Sequence, residues 1–246
     1  MSPGLQKSQL RPCLTLNIPK ALIFNTWGQI AQSAKIAFCW SDATVAWTSN
    51  VMLLVGMAAA PCSYYVLQVA GLRNTVVWAG AGIMALGASV RCVSMSGPVL
   101  EVTSLVCGAL NGWASIMIEA TLTMLSVTWF PVSERTTATG VVIAVQMSGL
   151  IPPALLFPRW VHEPPANVTS CEDESVTGLR EDISREVSHI LYTEAGLSCA
   201  VFLAMLLYFP AGPPSPPSQS AQSERYKFKE GLRNIVTSYP KLIIGR

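Results

Sequence analysis

The chain has 246 residues, of which 51% are hydrophobic and only 12% charged, with a net charge of +2. A soluble domain carries about twice that charged fraction, and so small a net charge excludes a nucleic-acid partner held by its phosphates. Mean hydropathy is +0.43, and no Lys, Arg, Asp or Glu falls between Asp42 and Arg73, between Arg135 and Arg159, or between Glu194 and Glu224. An α-helix needs about 20 apolar residues to cross a hydrocarbon core of roughly 30 Å. The pattern therefore predicts an all-α membrane protein of six spans, with the lipid bilayer as a partner.

The first span, about 14–34, is apolar only in patches and contains Lys20, so it is weak; residues 1–23 read as an arm and a degraded start of that span. The second, 44–69, holds the run Val51–Ala60 and then Pro61, a proline that neighbouring helices can accommodate as a kink. In the third, 74–93, Gly80, Gly82 and Gly87 alternate with alanines, which lets helix backbones approach closely. Asn111 and Glu119 lie in the fourth, 102–129. The fifth, 137–157, carries Gln146, Gly149 and Pro152-Pro153, and the sixth, 190–209, has Glu194 near one end.

Lys and Arg mark cytoplasmic loops. Six spans entered from that side put Lys7, Arg11, Arg73, Arg135 and a basic tail on one face. On the other lies a long acidic loop, 158–189, with seven Asp and Glu against Arg159, Arg180 and Arg185. That loop also holds the sequon Asn167-Val168-Thr169, so Asn167 is expected to be glycosylated and the loop non-cytosolic. Residues 210–246 open with Pro213-Pro214-Ser215-Pro216-Pro217 and read as a cytoplasmic linker, stopping as a new apolar run begins.

No phosphate-binding loop, nucleophile elbow or zinc-type spacing appears, so neither an enzyme nor a cofactor or metal site is expected. Most of the seven cysteines fall in spans, where packing is the default role. Cys171 in the loop leaves a disulfide to Cys39 or Cys92 open. A carboxylate at membrane depth is costly and usually faces a cavity or a partner. Glu119 is thus either part of a solute or proton pathway or a structural acid bonded to a neighbouring helix. Asn111, two turns earlier on the same face, and Gln146 are further cavity candidates with helix–helix bonding as the alternative. Asn25 and Trp27 are the candidates from the first span.

Several strings resemble one known group: Asn25-Thr26-Trp27-Gly28, Trp40-Ser41-Asp42-Ala43-Thr44, Gly71-Leu72-Arg73, Leu110-Asn111-Gly112, and Trp129-Phe130-Pro131 followed by Glu134-Arg135-Thr136-Thr137-Ala138-Thr139. Together with six spans and a long linker, they look like the N-terminal half of a major facilitator superfamily transporter. More narrowly, they resemble solute carrier family 49, with the feline leukaemia virus subgroup C receptor-related proteins as a sister branch. The resemblance covers about residues 24–209. It implies alternating-access transport of a small organic solute, vitamin-like or amine (pyridoxine or choline class) or haem, possible proton coupling, and a lysosomal or plasma membrane address. It also implies that Gly71, Arg73, Glu134 and Arg135 belong to gating and topology loops. Gln68 and Ala70 stand where the superfamily has an acid and a base, so the usual ion-paired gate is not expected. One half offers one wall of a site, which predicts association with a second copy or with a C-terminal half. The competing reading is a membrane interaction or receptor-like fragment that transports nothing.

Overall fold

The computed structural model describes residues 3–129, 133–165 and 177–209, and all of the elements found there are helical. Helix α1 is Pro3–Gln29, so the expected N-terminal arm is helical from its third residue. It breaks at Ile30, and α2, Ala31–Phe38, ends on Cys39 in the left-handed conformation. Cys39 is disulfide-bonded to a partner outside the described side chains, while Cys62, Cys92, Cys107 and Cys199 are free. Cys92 is therefore not the partner of a loop cysteine. Asn167 and Cys171 fall outside the described residues.

Helix α3, Asp42–Asn74, starts with Ser41 accepting a hydrogen bond from the Thr44 amide at 3.1 Å, with Asp42 in its first turn. That hydroxyl satisfies one orphan amide, and the aspartate favours the positive helix end. Gly71, at φ +77° and ψ 167°, interrupts it. Only glycine enters that region without steric cost, so the expected loop between the second and third spans is reduced to a single-residue break. A π-helical segment, Thr75–Gly82, and α4, Ile83–Val90, complete the third span. Helix α5, Gly97–Trp129, is the fourth.

Close approaches at glycine give the helix directions. Thr48 and Met52 of α3 meet Gly108 and Gly112 of α5 in the same order, so these helices run parallel. Gly87 of α4 meets Asn111, whereas Gly80, earlier in the chain, meets Ile118. The third span is thus antiparallel to α5 and to α3, and Gly71 is where the chain reverses.

The fifth span is two pieces, α6 (Arg135–Ser148) and α7 (Ile151–Trp160), parted at Gly149 and Leu150. Pro152 and Pro153 sit in the first turn of α7, where a missing amide donor costs least. Glu134 is the residue before α6 and is exposed; Arg135 opens the helix.

The largest departure from expectation is α8, Thr177–Tyr208. Residues 177–189, assigned to a loop because six of them are charged or His, extend the sixth span toward the N-terminus as helix. Ile183, Val187, Ile190 and Leu191 recur at helical spacing and are fully buried against Trp27, Phe38, Trp40 and Phe157. Burial along one stripe holds that segment helical even though its other face is too polar for hydrocarbon. A second core joins α1, the third span, α5 and the end of α8 through Ile23, Val77, Met84, Ile118 and Met205.

Among the described residues, four helical stretches are long and apolar enough to cross a membrane: Asp42–Val90, Gly97–Leu122, Arg135–Trp160 and Thr177–Tyr208. Asp42–Val90 contains two crossings because of the reversal at Gly71. The protein is an all-α membrane protein. Its exposed surface fits that setting: Met57, Val69, Leu207 and Tyr208 are each more than 70% exposed, an apolar surface that hydrocarbon covers.

Arg73, beyond the reversal, donates from Nε to the Phe209 carbonyl at 2.9 Å and from an amino nitrogen to the Leu206 carbonyl at 3.0 Å. The C-terminal carbonyls of a helix have no intrahelical donor, and a cation there also opposes the helix dipole. Charged hydrogen bonds contribute about 1.5–3 kcal/mol, so Arg73→Ala should lower the melting temperature of the purified chain. Arg73→Lys, with a point charge in place of a fork, should recover only part of the loss. An unchanged melting curve for Arg73→Ala would show that the cap contributes nothing.

Candidate functional site: an apolar cavity with one acid–base pair

Four helices enclose a cavity of about 450 Å³. From α1 it takes Asn17, Lys20, Ala21 and Phe24, and from α5 it takes Gly112, Ser115, Ile116 and Glu119. Each set is spaced i, i+3, i+4, i+7, which is one face of a helix. Met52, Gly56 and Ala60 of α3, and Gln146 and Leu150 beside them, close the remaining sides. The third span and α8 contribute no lining residue; they pack behind the wall.

The polar centre of this cavity is one carboxylate with two donors. Lys20 Nζ lies 2.7 Å from Glu119 Oε1, and Gln146 Nε2 donates to the same oxygen at 2.8 Å. The side chain of Lys20 is 12% exposed and that of Glu119 is 46% exposed. The acid is thus the accessible partner, and the lysine reaches it from within the packing of α1. With the carboxylate nearly half exposed, the cavity screens the pair in part, and its attraction lies between that of a wet-surface pair and that of a buried one.

Of the residues singled out by sequence, the structure brings Glu119 and Gln146 together. It places the others elsewhere. Asn111 is buried between α4 and α5, donating to the Cys107 carbonyl at 3.0 Å. Asn25 donates to the Ala21 carbonyl within its own helix. Trp27 is buried, with its ring centroid 4.6 Å from that of Trp40 and 6.4 Å from that of Phe38. Lys20 was legible only as a blemish in the first span. The signal that could have found it is the coincidence of two intramembrane charges of opposite sign in different spans.

A second charge cluster lies outside the cavity. Arg91, just past α4, pairs with Glu194 of α8, and both side chains are 1% exposed. Thr26 of α1 donates to the other carboxylate oxygen at 2.7 Å. Three spans meet there through one acid. At the end of α7, His162 is tied to Glu186 of α8, whose carboxylate accepts the His162 amide at 2.8 Å.

No protein-family model matches the chain. It is 32% identical to the solute carrier family 49 member 4 homologues of Xenopus tropicalis and Xenopus laevis, over 92% of its own length and 48% of theirs. Over nearly all of its length the chain is similar to solute carrier family 49. A more distant likeness, 24% identity over 80% of the chain and 36% of the relative, connects it to the mouse choline/ethanolamine transporter FLVCR1. The chain spans about half the length of the family 49 homologues it matches.

Proposed function

We propose that this chain forms one wall of a carrier site for a small organic cation of amine type, which Glu119 holds in exchange for Lys20. The observation that carries the reading is a single ion pair, relayed to Gln146, in an otherwise apolar cavity. Such pockets orient a ligand through a few polar groups while apolar walls supply area. An incoming ammonium that takes the place of Lys20 on Glu119 costs little net electrostatic energy, because one cation replaces another. The name of the FLVCR1 relative, a choline/ethanolamine transporter, supports an amine over the vitamin-like or haem alternatives. Transport itself would follow from alternating access to this site. The opposite wall would come from a complementary half or a second copy. Protonation of Glu119 would break the same pair, which is where proton coupling would enter.

The test is binding of radiolabelled choline and ethanolamine to the purified chain in lipid nanodiscs. Loss of a charge-assisted contact is expected to weaken binding roughly tenfold to a hundredfold in Glu119→Gln. Lys20→Gln, which frees the acid, should bind more tightly than wild type. The reverse pattern, tighter binding in Glu119→Gln and weaker binding in Lys20→Gln, would sink the proposal, as would no saturable binding by the wild-type chain.

A further inference from the structure

Three buried polar groups remain unused by the contacts described above. The indole Nε1–H of Trp27, the Nε–H of Arg91 and the hydroxyl of Ser104 have no hydrogen-bond partner among the described residues. Their residues are 4%, 1% and 2% exposed. Buried donors are nearly always satisfied, by protein or by ordered water. These three come from α1, the end of α4 and α5, yet all line one enclosed chamber with Cys107. Its volume, taken for the centre of a water-sized sphere, is about 10 Å³, roughly the least that accommodates one water molecule.

The donor set selects the ligand. Trp27 Nε1 and Arg91 Nε can only donate, whereas the Ser104 hydroxyl can donate or accept. A metal cation would face two N–H groups and is excluded by their polarity. An anion would sit beside Glu194, which already neutralises Arg91, so a second negative charge would be buried without a counter-ion. A water molecule matches: it accepts from Trp27 and Arg91 and donates to Ser104 Oγ. Three hydrogen bonds is the usual number for a buried water.

We propose that this chamber is a bound-water site, in which one water bridges α1, α4 and α5 and completes the hydrogen bonding of the Arg91 guanidinium. Phe24 and Met52 line both the chamber and the larger cavity. The water therefore lies directly behind the cavity wall, and these two side chains separate it from any solute. The inference rests on the buried donors and not on the solute chemistry of Glu119.

The experiment is a water-edited spectrum of the full chain in lipid nanodiscs, labelled with ¹⁵N at the tryptophan indoles. Seven tryptophans give seven indole signals, and Trp27→Phe identifies the one of interest. The Trp27 indole proton is expected to show a cross-peak to a long-lived water although its ring is buried. Ser104→Val, which puts a methyl where the hydroxyl was, should abolish that cross-peak and lower the melting temperature by several degrees. Ser104→Ala, which leaves the space open, should keep the cross-peak. Absence of the cross-peak in the wild-type chain overturns the site, and so does its persistence at full strength in Ser104→Val. If Ser104→Val does not fold, the wild-type and Ser104→Ala spectra decide the matter.

Discussion

Replacing Glu194 with alanine should destabilise the folded chain by about 3–5 kcal/mol, the usual result of leaving one member of a buried ion pair without its partner. The reason lies in what the carboxylate holds together. Arg91 and Glu194 are both fully buried, and Thr26 donates to the same acid from α1. Removing the acid strands a guanidinium in apolar packing beside Cys107 and also frees the Thr26 hydroxyl. Replacing both charges, Arg91→Met with Glu194→Leu, should restore most of the loss, because the pair's attraction mainly offsets its own desolvation. Thermal or denaturant unfolding of the single and double variants in the same detergent separates the two effects. A double variant as unstable as Glu194→Ala, although it keeps the side-chain volume, would mean that the ion pair and the Thr26 hydrogen bond are themselves net stabilising and that a stranded charge is not the cause of the loss.

The second large effect is expected at Gly112, where α3 and α5 cross most closely. A Cβ there would lie 2.3 Å from the Met52 carbonyl oxygen and 3.2 Å from the Gly56 amide. Both are backbone atoms, so no rotamer change relieves the contact and the helices must separate. Overpacking costs typically 1–3 kcal/mol and occasionally more; a backbone clash belongs at the upper end of that range. Gly112→Ala is therefore expected to lower stability strongly and to distort the adjoining cavity, which Gly56 and Gly112 both line. Gly140→Ala in α6 is the control. Nothing lies within 4 Å of its added Cβ, and alanine is favoured over glycine in a helix by up to about 1 kcal/mol. Equal melting temperatures for the two variants would show that the close approach of α3 and α5 does not matter.

Much of the architecture was legible because membrane insertion is a local property. A window of about 20 residues without charge is enough to demand a helix in hydrocarbon, and the windows around Val51, Ala85, Ser115, Ala144 and Val201 all lie in helices. Gly71 was named as a loop residue only through the family resemblance, and the structure shows its positive φ at the point where the chain reverses. Hydropathy misjudged the start of α8. There the helix is held by a stripe of four buried residues, while the charges on its other face dominate any average. It also undervalued Lys20, which lowers the score of the first span.

What the sequence by itself determined is the solvent, the helical class and the presence of an acid, Glu119, at membrane depth. Only the tertiary structure decided what that acid pairs with. Its partner Lys20 is 99 residues away, Arg91 and Glu194 are 103 apart, and Thr26 reaches Glu194 across 168. The physical reason is that burial depends on composition within one helix, whereas pairing depends on which helices are neighbours and how each is rotated about its axis. Gly56 against Gly112 and Gly87 against Asn111 fix those neighbours and rotations, and small residues do so by shape, which no tally of charge or hydropathy records.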